Sequence, residues 1–283
     1  MIATLWGTRG SLAAPGPETM RYGGNTSCVE VRGADGTLVI LDSGTGIRRL
    51  GETLGAETRR IDLLLTHLHM DHIQGLGFFD PLFEAGVEVH IWGPSSATQD
   101  LGERLVRYLS PPLFPVYLRN VPCRLTLHDV VSTPSFRIGG LEIEARLVCH
   151  PGPTVGYRIR EDDVSLAYLP DHEPALGGSC VPIDPEWLSG HELAAGVDLL
   201  IHDAQYTDEE YATHVGWGHS SVRHALEFAK VVAARQLVCF HHDPAHSDTI
   251  LDRIYAKASA SCDWPFQVTP GTEGASFKLG RDA

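Results

Sequence analysis

The sequence predicts an α/β protein built from layered sheets with helices outside. Two observations carry this. Short apolar runs, each the length of a single strand, recur along the chain, in succession at first and later alternating with helix-like stretches. Polar residues capable of chemistry repeatedly stand immediately after such a run, where a strand would end and the chain would turn.

The strands are expected over Ile2–Trp6, Ser27–Arg32, Leu38–Leu41, Ile61–Thr66, Val87–Trp92, Leu141–Leu147, Val155–Arg160, Val164–Tyr168, Leu199–His202 and Leu237–Phe240. A first helix over Gly46–Leu54 follows the turn-and-cap sequence Asp42-Ser43-Gly44-Thr45. Ser96–Leu109 and Ser221–Ala234 have helical periodicity, the second through an apolar face of Val222, Ala225, Leu226, Ala229 and Val232. Thr249–Ala260 is the fourth helix. The segment Ser110–Pro122 carries Pro111, Pro112, Pro115 and Pro122 around Leu113, Phe114 and Tyr117. Proline blocks regular structure there, so this loop (110–122) either packs on the core or forms a lid over a site.

The 283 residues, 43% hydrophobic, are read as one domain spanning 1–283. Lys+Arg is 22 against Asp+Glu 36, a formal net charge of −14. Such a surface repels the phosphate backbone of a long nucleic acid but leaves room for one small anion. No run approaches the ~20 apolar residues of a membrane span, and Met1–Gly7 lacks a charged segment followed by an apolar one, so neither membrane insertion nor a signal peptide is expected. Six cysteines (Cys28, Cys123, Cys149, Cys180, Cys239 and Cys262) form no Cys-x-x-Cys pair, and reduced thiols in a cytoplasmic protein are expected.

The most informative stretch is Thr66-His67-Leu68-His69-Met70-Asp71-His72, directly after the apolar run Ile61–Leu65. Imidazole suits borderline metals and carboxylate adds a harder, anionic ligand. One ion cannot readily use all four groups at this spacing, whereas two ions side by side can. Further candidates end later runs: His150 after Leu147-Val148-Cys149, Asp171 after Leu166–Pro170, and His241, followed by His242, after Leu237–Phe240. A carboxylate at Asp171 could bridge two cations. Side chains alternate at a strand end, so only one of His241 and His242 should face a metal.

These residues, in this order, resemble the metallo-β-lactamase superfamily from about Thr4 to about Asp248. The resemblance implies a four-layer αβ/βα sandwich and a hydrolase with two Zn²⁺, Mn²⁺ being able to occupy the same ligands. His67, His69 and His150 would hold one ion; Asp71, His72 and His241 would hold the other; Asp171 would bridge. A hydroxide between the ions would be the nucleophile, oriented by Asp71 and Asp171, and Asp42 would support the site. Histidine rather than glutamate at position 69 argues against the di-iron oxygen-reducing branch.

The run Asp198–Tyr206, then Gly218-His219-Ser220-Ser221 and a helix, is similar to the tRNase Z and phosphoribosyl cyclic phosphate phosphodiesterase branch. There the matching histidine, His219 here, reaches the phosphate and helps the leaving group, in a helix-start setting that favours anions. Arg9, Arg21 and Asn25, on glycine-rich turns, either meet substrate oxygens or belong to hairpins. His172 and Glu173 are read as polar loop residues. Only residues 151–170 separate His150 from Asp171, which leaves no room there for a tRNA-gripping arm. The expected substrate is therefore a small, perhaps cyclic, phosphodiester. Lactone, thioester or β-lactam hydrolysis is the alternative, and a non-catalytic binding module is the rival from another class. A homodimer is left open.

Overall fold

The computed structural model describes the chain except residues 56, 131–134, 179–183, 262 and 281–283, and gives backbone alone for 259–261. Cys180 and Cys262 lie outside the described residues. Fourteen strands occur among the described residues: β1 (Ile2–Gly7), β2 (Cys28–Arg32), β3 (Leu38–Leu41), β4 (Arg60–Leu64), β5 (Glu88–Gly93), β6 (Arg124–Asp129), β7 (Ser135–Ile138), β8 (Leu141–Leu147), β9 (Val155–Glu161), β10 (Val164–Leu169), β11 (Leu199–Asp203), β12 (Gln236–Phe240), β13 (Gln267–Pro270) and β14 (Ser276–Lys278). The helices are α1 (Ile47–Thr53), α2 (Met70–Ile73), α3 (Leu101–Leu105), α4 (His191–Ala194), α5 (Asp208–Tyr211), α6 (Val222–Val231) and α7 (Asp248–Ser261).

The strands form two seven-stranded sheets, ordered β14-β1-β2-β3-β4-β5-β6 and β13-β12-β11-β10-β9-β8-β7. Three apolar layers explain why the sheets stack. Between them, Leu5, Val39, Leu41 and Leu64 meet Tyr157, Ile159, Leu166, Ile201, Val238 and Phe240. On the outer face of the first sheet, Ile40 and Leu63 meet Ile47, Leu50 and Leu105. On the outer face of the second, Leu200 and Leu237 meet Ala225 and Phe228 of α6 and Leu251 and Tyr255 of α7. Strand β3 shows the cause: Val39 and Leu41 enter the central layer, while Leu38 and Ile40 enter the outer one. A strand covered on both faces reads as a continuous apolar run. Each large aliphatic side chain so buried contributes roughly 1.5–3 kcal/mol. The result is the four-layer sandwich expected.

Two expectations need correction. Strands β6, β7, β13 and β14 were not foreseen. The helix expected over Ser96–Leu109 spans Leu101–Leu105. It starts late because Asp100 caps it, its side chain accepting from the Glu103 N–H at 2.7 Å. It ends early because the bonds at Arg107 and Tyr108 tighten to the three-residue spacing. The proline-rich loop is split in character. Phe114 packs edge-on against Phe78, with ring centroids 5.9 Å apart, and Leu118 is buried. Leu113 stands 70% exposed beside Leu68 and Met70, close to the first histidine cluster. No helix among the described residues is long and apolar enough to cross a membrane.

Candidate metal centre

Strands β3 and β4 are parallel, as are β10, β11 and β12. Strand β8 is antiparallel to β9, which is antiparallel to β10, so β8 runs the same way as β10. Their carboxyl ends lie on one edge, where open α/β sheets bind ligands. His67 and His69 lie in the turn after β4, and Asp71 and His72 in α2. His150 follows β8, Asp171 follows β10 and His241 follows β12.

These seven side chains converge into two donor sets that share Asp171. His67, His69, His150 and Asp171 form one, and Asp71, His72, Asp171 and His241 the other, with donor atoms of each set within 4.8 Å of one another. His69 is the exposed member, so the first set opens to solvent.

Hydrogen bonds at the far ring nitrogens decide what the near ones offer. His72 Nδ1 donates to Asp42 Oδ2 at 2.8 Å, His241 Nδ1 to Gln205 Oε1 at 2.9 Å and His150 Nδ1 to the Gly218 carbonyl at 2.9 Å. The Thr66 hydroxyl donates to Asp42, so its oxygen is left to accept from His67 Nδ1 at 3.0 Å. In neutral rings of these tautomers, every inward Nε2 carries a lone pair. Yet His72 Nε2 and His241 Nε2 lie 3.3 Å apart, and each sits 3.3 Å or less from an Asp71 or Asp171 oxygen. Lone pairs and carboxylates so arranged repel unless a cation stands among them. Ligand atoms around a tetrahedral zinc, with arms near 2.0–2.1 Å, are roughly 3.3 Å apart. His67 Nε2 and Asp171 Oδ1 are buried without a hydrogen-bond partner. His72 Nε2 stands 2.9 Å from that Asp171 oxygen. On all these counts the residues fit metal ions.

The electrostatics agree. Burial pushes His67, His69 and His150 below the usual imidazole range, which favours the neutral, ligating form. Burial alone would raise the Asp171 carboxyl, but His241, His72 and His67 outweigh it and hold it well below the carboxylate range. His72 is raised: burial opposes its cation, but Asp171, Asp71 and Asp42 together prevail. A metal ion would take the place of that proton.

Of His241 and His242, it is His241 whose side chain faces the cluster. His241 takes a left-handed backbone, φ 61°, and turns into the cluster. Its ring lies flat over Gly10, where a Cβ would stand 2.3 Å from Nδ1. His242 points away, donating from Nε2 to the Gly271 carbonyl at 2.8 Å and accepting from the Tyr255 hydroxyl at 3.1 Å.

His219 lies beside the cluster, its Nδ1 3.9 Å from Asp171 Oδ2. It donates to Asp203 Oδ2 at 2.7 Å, and Asp203 Oδ1 accepts from the Gln205 and Ser220 N–H groups. Burial opposes the imidazolium, but Asp203 outweighs it and raises His219 to about 9, a value that nearby metal charge would pull back down. Asp203 and Gln205 went unassigned in the sequence, although Asp203 ends an apolar strand much as Asp42 and Asp171 do. Ser11, whose N–H donates to Asp71 Oδ2 at 2.7 Å, had no sequence signal.

Arg9, Arg21 and Asn25 do not line the site. Arg9 is fully buried and donates to the Gly23, Asp243 and His246 carbonyls. Arg21 pairs with Asp252 on the surface, and Asn25 bonds Glu273. His172 and Glu173 are not solvated loop residues but buried ones, His172 bonded to His202 and Glu173 to the Tyr211 hydroxyl.

Two mixed sheets packed face to face, with a histidine–aspartate cluster on their shared edge, define the metallo-β-lactamase class of hydrolases. The model of the β-lactamase superfamily domain matches residues 37–242, and the chain belongs to that superfamily. A relative from Mycobacterium bovis BCG Pasteur, named ribonuclease Z, is 28% identical over 270 residues, which is 86% of this chain and 86% of the relative. Among solved structures, the metallo-β-lactamase fold protein YhfI of Bacillus subtilis superposes with a TM-score of 0.70 at 16% identity, covering 98% of each chain. A diphosphatase of the PhnP family superposes with a TM-score of 0.69 at 19% identity, over 99% of this chain and 98% of that one.

Proposed function

We propose that the chain is a dimetal phosphodiesterase acting on small, cyclic or linear, phosphodiesters. His67, His69 and His150 would hold one ion, Asp71, His72 and His241 the other, and Asp171 both. When bound, two zinc ions, or manganese on the same ligands, supply Lewis acidity and lower the pKa of water toward ~7.

The chain's own groups do the rest. Asp71 and Asp171 orient the attacking water and take its proton as its oxygen bonds to phosphorus. His219, fixed through Nδ1 by Asp203, presents Nε2 to the phosphoryl oxygens and passes a proton to the leaving oxygen as the P–O bond breaks. Asp203 acts through His219 as a positioning residue.

The observation that carries this reading is the Asp203–His219 pair beside Asp171. An imidazole held ready to donate by Asp203 suits the anionic phosphoryl oxygens of a phosphodiester, a charge that a lactone or β-lactam carbonyl lacks. The ribonuclease Z name among the relatives supports a phosphodiester, and the diphosphatase name among the neighbours supports hydrolysis at phosphorus more broadly. A small substrate is favoured over RNA because the β9–β10 hairpin uses up the chain between His150 and Asp171, and because the net charge is −14.

The test joins metal analysis to kinetics. Purified protein is expected to carry about two transition-metal ions per chain, and His219→Ala to lower turnover of a nucleoside cyclic phosphate, whose leaving group is an alkoxide, by roughly 10²-fold or more at full metal content. Unchanged turnover in His219→Ala would remove the phosphodiester assignment.

A further inference from the structure

Next to the metal centre lies a second cavity of about 320 Å³, bordered by Ser11, Tyr206, His214, Trp217, His219 and Asp243. Its size falls at the lower end of small-ligand pockets. His219 and Ser11 belong to both spaces, since His219 adjoins Asp171 and the Ser11 N–H holds Asp71. A group bound here would therefore be part of the molecule whose reacting bond lies at the metals.

The wall is aromatic. Tyr206 and His214 stack with centroids 4.7 Å apart and planes 26° apart, and Trp217 meets His214 edge-on at 4.6 Å. Trp217 is 59% exposed, and among the described residues His214 is the ring recorded against it. The turn that carries the indole is held in place. The turn Gly216-Trp217-Gly218 has left-handed glycines at both ends, φ 84° and 83°. Beneath it, the buried Glu173 carboxylate accepts from the Gly216 N–H at 3.1 Å, the Gly218 N–H at 3.0 Å and the Tyr211 hydroxyl at 2.6 Å. Such a charge-assisted carboxylate hub is among the stronger local restraints. The Gly218 carbonyl also accepts from His150 Nδ1, so one turn both presents the indole and orients a member of the metal centre. The polar edge of the cavity is acidic: among the described residues Asp243 Oδ2 receives a long 3.4 Å bond from Gln205, which leaves it able to accept from a ring N–H.

We infer that Tyr206, His214 and Trp217 form a stacking subsite for the nucleobase of a small nucleotide whose phosphodiester sits at the metal centre, with Asp243 accepting from base N–H groups. The inference rests on the phosphodiesterase reading. A flat heteroaromatic ring with N–H donors matches the rings and the carboxylate together. A flanking phosphate, by contrast, would meet the Asp243 carboxylate.

Two readouts test it. Hydrolysis of a nucleoside cyclic phosphate is compared with that of the matching methyl riboside cyclic phosphate, which lacks the base. The wild type is expected to prefer the nucleoside substrate in kcat/KM by about tenfold, the scale of one base–aromatic stack. Trp217→Ala should bring that ratio close to one, and Trp217→Phe should retain most of it. Separately, adenosine monophosphate should quench tryptophan fluorescence in the wild type more than in Trp217→Phe, and ribose phosphate should not. Equal kcat/KM for the two substrates in the wild type, or a preference that survives Trp217→Ala, overturns the subsite while the phosphodiesterase reading stands. No turnover of either cyclic phosphate, with turnover of a lactone, overturns the phosphodiesterase reading and the subsite with it.

Discussion

Asp42 holds its neighbours from a position that few residues tolerate. Its φ of 58° is left-handed, a region that aspartate and asparagine enter more easily than other non-glycine residues. Its carboxylate accepts from the Thr66 N–H and hydroxyl, from His72 Nδ1 and from the Tyr168 hydroxyl, all within 3.0 Å and all buried. One side chain thus ties β3 to the histidine turn, to α2 and to β10. Replacing it strands several buried donors at once. Asp42→Ala is expected to lower unfolding free energy by about 3–5 kcal/mol, measured by urea denaturation of metal-free protein. It should also weaken metal retention, because His72 loses the acceptor that fixes its tautomer. Asp42→Asn keeps the backbone preference and should lose less stability.

At the level of elements, the strands absent from the apolar pattern are instructive. β6, β7, β13 and β14 are the four outermost strands of the two sheets. An edge strand has a neighbour on one side alone and carries polar side chains toward water; β6, Arg-Leu-Thr-Leu-His-Asp, alternates exposed and half-buried positions. Central strands are covered on both faces and announce themselves as apolar runs. The 110–122 loop follows the same logic, because Phe114 packs against Phe78 and Tyr108 while Leu113 stands exposed. Phe114→Ala is expected to lower the melting temperature by several degrees through lost contact with Phe78. We propose that Leu113, beside Leu68 and Met70, acts as the lid of the site. Leu113→Ala should then change KM for bulky phosphodiesters more than for compact ones, and an identical substrate profile would make the loop packing alone.

For the molecule as a whole, charge and shape act together on the choice of substrate. A formal charge of −14 disfavours a polyanion, since affinity for nucleic acid depends on neutralising several phosphates. The single anion of a small phosphodiester needs only the metal centre and His219. A tRNA precursor is accordingly expected to bind weakly at physiological salt and to be cut at least ~10-fold more slowly, per kcat/KM, than a nucleoside cyclic phosphate. Efficient cleavage of the precursor would place the protein with its ribonuclease Z relatives in substrate as well as in sequence.

By itself the sequence determined the central strands and picked out the seven side chains that converge at the candidate centre, because burial on both faces and a histidine or aspartate at a strand end leave local, readable marks. Only the tertiary structure decided which of His241 and His242 turns inward, that Arg9 is enclosed, and that Asp203 grips His219 while Glu173 holds the Trp217 turn. Each of those outcomes depends on a backbone angle or on a partner far away in the chain, and neither is encoded in the neighbouring residues.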